Sequence, residues 1–301
     1  MKSKNKQTKI LAFDIGGTKI ASGIVEFEKN SYQIFDYQKN ATPKDKNGVI
    51  QKLIELVVYY QRNNGFDKIG ISFAGQVDNQ NGIIVFAPSI KGWNNNNLKK
   101  NIKEKTGINA KIDNDVKCFA LGEMKFGQAK KYKDAVYLTI GTSIGGAIEI
   151  DGKLYRGANN IAGEFGHMTV VGNGKKCGCG NTGCWTDYVS GKVMEKLYYN
   201  LYNKKKKAKD IALDSVKGVK RDQKIIKKSA SYLAIGLVNI INTINPEIII
   251  IGGSIIKQKE ILDLAKEDAL KKVLIPGRKT KIIRSDLGDE AMLVGAGLLQ
   301  N

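Results

Sequence analysis

Along the chain, short runs of β-branched residues alternate with stretches in which apolar residues recur every three or four positions. Period-two runs predict strands near Lys9–Phe13, Ile20–Phe27, Tyr32–Tyr37, Lys68–Phe73 and Ala110–Ile112, with a helix over about Gly48–Arg62. A helical run from Val116 to Phe126 follows the last of these strands. A second set predicts strands near Ala135–Ile140, Gly146–Ile150, Glu247–Ile251 and Lys281–Ile283, alternating with helices over about Trp185–Tyr202, Gln223–Asn242 and Lys257–Lys272. This alternation reads as an α/β protein.

The two sets begin alike. Leu11-Ala12-Phe13-Asp14-Ile15-Gly16-Gly17-Thr18-Lys19 has a counterpart in Tyr137-Leu138-Thr139-Ile140-Gly141-Thr142-Ser143-Ile144-Gly145-Gly146, so each half opens with strand, glycine-rich turn, strand. A third glycine pair, Gly252-Gly253, ends the apolar run Ile248–Ile251. Two similar lobes with facing glycine turns would form a cleft suited to a nucleotide.

Composition narrows the classes. The 301 residues are 42% hydrophobic, enough for a core and most simply two domains, which excludes a disordered or collagen-like chain. No apolar stretch approaches the roughly 18–20 residues of a membrane span, and the start Met1–Thr8 has no signal-peptide pattern, so a cytoplasmic protein that does not bind membranes is expected. Lys plus Arg number 49 against 29 acidic residues, a net charge of +20. Such a charge suits nucleic acid or phosphorylated ligands. Yet it is spread over lysines, with Arg only at 62, 156, 221, 278 and 284, so no specific nucleic-acid partner is expected. The run Lys204-Lys205-Lys206-Lys207-Ala208-Lys209 reads as a solvated helix end.

Three motifs carry chemistry. In Asp14-Ile15-Gly16-Gly17-Thr18-Lys19 the glycines let backbone N–H groups approach phosphate oxygens, while Asp14 and Thr18 can order a Mg2+ shell; taken alone, the motif is also a plain hairpin turn. Asn114-Asp115 follows a strand and opens a helix, where a carboxylate can take a proton from a substrate hydroxyl; by position alone the pair reads as a helix cap. His167, the only histidine, precedes Cys177, Cys179 and Cys184 as His-x9-Cys-x-Cys-x4-Cys, a closed donor set for a structural zinc ion. Cys118 has no sequence partner and reads as a buried apolar residue.

In these motifs the chain resembles the ROK proteins, sugar kinases and sugar-responsive repressors of the actin-like ATPase (ribonuclease H-like) fold. The matching stretches are Asp14–Lys19, Ala74-Gly75-Gln76-Val77-Asp78, Ala87-Pro88 with Gly92-Trp93, Asn114-Asp115 with Ala120-Leu121-Gly122-Glu123, Gly141–Gly146, Arg156-Gly157-Ala158, Gly163-Glu164-Phe165-Gly166-His167, the cysteine cluster, and Asn245-Pro246-Glu247 through Gly252-Gly253. The resemblance implies phosphoryl transfer from ATP to a sugar hydroxyl, typically O6 of a hexose or hexosamine. It makes Asp115 the general base, and Asn114, Glu164, His167, Gly75 and Thr186 the sugar-side residues. It places phosphate and nucleoside on Asp14, Gly16, Gly17, Thr18, Lys19, Gly141, Thr142, Gly145, Gly252 and Gly253. Mg2+ and a structural Zn2+ on His167, Cys177, Cys179 and Cys184 complete the expected cofactors. A two-lobed fold follows, with an N-terminal lobe over 1–117, a C-terminal lobe with the zinc element over 118–289, and a last helix over 290–301 returning to the first lobe. A homodimer or homotetramer is implied as well.

Two positions depart from the family pattern. Thr186 stands where a sugar-binding Glu is usual after the last cysteine, and Ser89 stands where many family kinases have Asn. Both fall on the sugar side, so the sequence favours an ATP-dependent sugar kinase with glucose first. N-acetylmannosamine, N-acetylglucosamine, mannose or fructose, and a non-catalytic sugar-binding regulator, are the alternatives. A DNA-binding repressor needs a winged helix, for which the roughly nine residues before the first strand are too few.

Overall fold

The computed structural model describes residues 8–256 and 259–300. The chain forms two compact units: the first comprises 1–130, 157–161 and 289–301, the second 131–156 and 162–288. The expected 117/118 boundary falls inside α3 (Asp115–Phe126), which belongs to the first unit.

In the first unit a five-stranded sheet has the order β3-β2-β1-β4-β8, with β1 (Lys9–Ile15), β2 (Lys19–Phe27), β3 (Tyr32–Ala41), β4 (Lys68–Phe73) and β8 (Ala110–Asn114). The strands β1, β4 and β8 run parallel, and β2 and β3 continue antiparallel from β1. The buried strand β1 splits its side chains by period two. Leu11, Phe13 and Ile15 pack with α1 (Lys46–Asn63) and α2 (Leu98–Thr106), whereas Ala12 meets Cys118, Leu293 and Ala296 of α3 and α8 (Glu290–Leu298). Cys118 is fully buried there, as its apolar reading expected. On that second face Gly70 leaves room for α8, since a Cβ would sit 1.9 Å from the Ala296 carbonyl oxygen.

A small antiparallel sheet, β5 (Gln76–Asp78), β6 (Ile83–Phe86) and β7 (Asn94–Asn97), belongs to the same unit. The sequence did not reveal it.

The second unit repeats the sheet plan. Its order is β11-β10-β9-β12-β13, with β9 (Ala135–Ile140), β10 (Ile144–Ile150), β11 (Lys153–Tyr155), β12 (Ile248–Gly252) and β13 (Lys281–Arg284). Again three strands, β9, β12 and β13, run parallel and a hairpin continues antiparallel. The four isoleucines of β12 are buried on both faces, as parallel strands covered by helices require. The helices α4 (Gly191–Tyr202), α5 (Ala208–Val216), α6 (Lys220–Ile244) and α7 (Lys259–Lys272) supply the remaining elements. The expected start of α7 at Lys257 lies outside the described residues.

One expectation is corrected and a second holds for all but one residue. The helix predicted from Trp185 begins only at Gly191: Trp185–Asp187 is a single 3-10 turn, and Ser190 then caps α4 by accepting the Val193 N–H. The lysine run follows the end of α4 at Asn203, and Lys204, Lys205, Lys207 and Lys209 are exposed as expected, but Lys206 turns inward. Its ammonium lies 2.8 Å from Asp214 and 2.7 Å from Asp222, a carboxylate with no solvent exposure. A buried carboxylate needs such a partner, so this lysine has a structural role. Among the described residues no helix is long and apolar enough to cross a membrane.

Candidate active site and metal centre

In the first unit the candidate residues gather at the C-terminal edge of the parallel strands, where α/β sheets bind ligands. Asp14, Ser72 and Asp113 lie side by side across β1, β4 and β8, and Asn114 follows at the end of β8. Asp14 is buried and accepts a hydrogen bond from Ser72 Oγ at 2.8 Å. The next residues turn sharply. The Gly16 N–H donates to the Lys19 carbonyl at 3.0 Å, and Thr42 holds the turn by donating its hydroxyl to Gly16 O at 2.7 Å and its N–H to Thr18 O at 3.2 Å. Gly17 and Thr18 are exposed, and a Cβ on Gly17 would come within 2.7 Å of Ser89 Cβ. Lys19 pairs with Asp289 at 3.2 Å.

Burial pushes the Asp14 carboxyl up from 3.8 to about 6, against the lowering effects of the Ser72 hydrogen bond and the Lys19 charge. For a carboxyl raised on folding, ionisation opposes stability: the cost is absent below the unfolded pKa, builds as pH rises, and is complete above about 6. Asp14→Asn is therefore expected to stabilise the ligand-free protein by about 1–3 kcal/mol at pH 8 and by about half as much at pH 5. Urea melts at the two pH values check this; destabilisation at both would show that the carboxylate is held favourably.

Asn114 caps α3: its Oδ1 accepts the N–H groups of Val116 at 3.0 Å and Lys117 at 3.1 Å. Its Nδ2 donates to Gly75 O at 3.0 Å and to Asp115 Oδ1 at 2.8 Å. Asp115 Oδ1 also accepts the Val116 N–H at 2.9 Å. One amide thus fixes both the helix start and the carboxylate, so the capping and chemical readings of this pair coexist.

In the second unit Gly141 and Thr142 lie in the β9–β10 turn, closed by the Gly141 N–H on Ser143 O at 3.0 Å, and Gly145 is the second residue of β10, opposite Thr139. Thr142 is exposed. Gly252 ends β12, and Gly253, at φ +98°, would place a Cβ 2.4 Å from Ile140 O, so glycine is required where the two strand ends meet. Glu164 is exposed and precedes the 3-10 turn Phe165–His167, its carbonyl accepting the His167 N–H at 3.0 Å.

The donor atoms of His167, Cys177, Cys179 and Cys184 all lie within 4.8 Å of one another. Cys179 Sγ is 3.7 Å from Cys184 Sγ, and Cys177 Sγ is 3.9 Å from His167 Nδ1. Zn–S bonds of about 2.3 Å in a tetrahedron give S···S edges of about 3.8 Å. Three thiolates and one imidazole at these separations fit a closed structural zinc site. The cluster is anchored by Trp185, fully buried, whose Nε1–H donates to Tyr232 O of α6 at 2.8 Å. Gly236 on the same helix makes room for its ring.

The sequence missed Ser72, Thr42 and Ser143 as supports. A serine level with Asp14 in an otherwise apolar strand was the available signal for the first.

Residues 10–301 match the profile of the ROK family, and the chain belongs to that family. It is 31% identical to an N-acetyl-D-glucosamine kinase of Vibrio cholerae over 301 residues, covering 95% of this chain and 98% of that protein. It is 36% identical to the xylose repressor of Bacillus spizizenii over 256 residues, covering 81% of this chain and 64% of the repressor. A crystal structure of a ROK family glucokinase from Streptomyces griseus in complex with glucose and AMPPNP superposes with a TM-score of 0.85 at 30% identity, over 97% of this chain and 98% of that one. The fold is thus the mixed α/β, actin-like ATPase fold of ROK kinases, with a Cys₃His site compatible with zinc.

Proposed function

We propose that the protein is an ATP-dependent sugar kinase that phosphorylates a hexose hydroxyl, O6 of glucose in the first instance. The observation that carries this reading is Asp115, held at the head of α3 by Asn114 at the C-terminal end of a parallel strand. The relatives support it, since both a glucokinase and an N-acetyl-D-glucosamine kinase align over almost the whole chain.

In the proposed reaction the sugar hydroxyl oxygen attacks the γ-phosphorus. The bond to the bridging oxygen breaks with its electron pair leaving on ADP, and the hydroxyl proton passes to a carboxylate oxygen of Asp115. Asn114 holds that carboxylate and donates to the Gly75 carbonyl, so the base cannot swing away. The turn at Gly16–Thr18 and the segment Gly141–Gly145 would offer backbone N–H groups to phosphate oxygens, and Gly252-Gly253 would adjoin the nucleoside. Asp14 would hold Mg2+ or its water shell, and the ion would supply charge neutralisation for the transferring phosphoryl group. Glu164 and His167 would bind sugar hydroxyls, with His167 fixed by the zinc site. A cytoplasmic homodimer or homotetramer, taking only ATP and a sugar as ligands and neither nucleic acid nor membrane as partners, completes the reading.

The test is ADP release from MgATP with glucose, mannose, fructose, N-acetylglucosamine and N-acetylmannosamine supplied singly. A signal that depends on one of them is expected, and it names the substrate. Silence across the panel from zinc-loaded protein would overturn the kinase reading in favour of a sugar-binding regulator, the direction of the xylose repressor relative.

A further inference from the structure

Thr186 lies two residues beyond the last cysteine of the metal cluster, in the turn Trp185–Asp187. Its hydroxyl faces the β9–β10 turn of the same unit: Thr186 Oγ1 is 2.8 Å from Ser143 Oγ and accepts the Ile144 N–H at 3.2 Å. A second contact reaches that turn from the other end of the cluster. Gly166, immediately before His167, sits so close to Ile144 that a Cβ would lie 2.1 Å from the Ile144 carbonyl oxygen. The turn itself is only Gly141-Thr142-Ser143, with Ile144 opening β10 opposite Ile140, so a bond at Ser143 and Ile144 acts where the turn enters the strand. Beyond its own closing bond, its carbonyl at Gly141 accepts the Gly191 N–H at 3.2 Å. The segments that carry the metal donors thus brace the turn from both sides of Ile144.

We infer that Thr186 is a positioning residue for the nucleotide: through its hydroxyl the Cys₃His module fixes the turn Gly141–Ser143 and the start of β10 and preorganises them for phosphate. This inference rests on the proposed kinase reading, in which that turn takes the nucleotide. It assigns the Thr in this chain a task on the phosphate side, where a carboxylate at the same place would address the sugar. Two hydrogen bonds held before binding, rather than formed during it, correspond to a roughly 5- to 30-fold gain in nucleotide affinity.

The experiment compares Thr186→Val, which keeps the shape and removes the hydroxyl, with Thr186→Ser, which restores the hydroxyl. Calorimetry on the zinc-loaded full chain gives the Kd of AMPPNP with Mg2+ and of the accepted sugar, while hydrogen exchange follows the Ile144 amide. Thr186→Val is expected to keep its zinc, weaken AMPPNP roughly 5- to 30-fold, leave the sugar Kd within about twofold, and speed Ile144 exchange about tenfold or more. Thr186→Ser returns all of these to wild-type values, and zinc-stripped wild type shows the same faster exchange. An unchanged AMPPNP Kd in Thr186→Val, a change confined to the sugar, a serine variant that behaves like valine, or Ile144 exchange indifferent to zinc would each overturn the inference. A wild-type chain that binds no AMPPNP overturns the kinase reading itself, a pattern distinct from wild-type binding that ignores the substitution.

Discussion

Asp115→Asn is expected to leave the protein folded and to lower sugar-dependent ADP release by about 10²- to 10⁴-fold, the range contributed by a positioned general base. The substitution is suited to the question because the structural duties of Asp115 survive it. An amide oxygen can still accept the Val116 N–H and the Asn114 Nδ2–H that the Oδ1 atom now accepts, so α3 keeps its start. What is lost is the capacity to take a proton. In a loose phosphoryl-transfer transition state the hydroxyl becomes acidic late, and that is when a carboxylate takes its proton. The loss should therefore appear in kcat, with the sugar and AMPPNP Kd values changed little. Steady-state kinetics and calorimetry check both parts, alongside a thermal melt expected to match wild type. A variant with undiminished kcat would remove Asp115 from the chemistry. A variant that has lost sugar binding would instead make it a substrate ligand.

The parts of this protein that sequence exposes are those whose physics is local. The strands β1, β4, β9 and β12 announce themselves through β-branched runs, because strands buried on both faces must be apolar throughout. The cluster is readable because three of its donors fall within eight residues, Cys177 to Cys184. The sheet β5–β7 is not readable: its last strand is Asn94-Asn95-Asn96-Asn97, without alternation and with Asn95 in the left-handed region. Helix α2 escapes because only Leu98 and Ile102 are buried in a lysine-rich stretch. The false start of α4 arises since Trp185, Val189 and Val193 keep helical spacing across a 3-10 turn and the Ser190 cap. The contacts of Lys206 and Thr186 are not readable for one reason: their partners, Asp222 and Ser143, lie 16 and 43 residues away, and no spacing rule reports a contact that the fold creates.

The metal cluster carries the other large expectation. From Val171 to Gly183 the chain includes glycines at 172, 174, 178, 180 and 183, and its internal order rests on backbone bonds such as Cys177 N–H to Asn181 O at 2.8 Å and Gly183 N–H to Lys175 O at 2.8 Å. So glycine-rich a loop, with little apolar surface to bury, cannot offset its conformational entropy without a cross-link. A bound zinc supplies one, and Cys184, the fully buried donor, ties it to the Trp185 anchor. Cys184→Ala is accordingly expected to lower bound zinc from about one ion per chain to near none and to cost about 3–5 kcal/mol, a fall in Tm of roughly 10 °C for a domain of this size. It should also make the exposed Lys175-Lys176 pair a faster trypsin site, because the loop that holds its backbone in one conformation loses its closure. Chelation of the wild type should reproduce all three changes, and added Zn2+ should reverse them in the wild type alone. Metal analysis, calorimetry and timed proteolysis read these outcomes. A zinc-free chain that keeps its Tm and its rate of trypsin cleavage would mean that Trp185 and the backbone bonds hold the loop unaided, and that the four donors meet without a metal to join them.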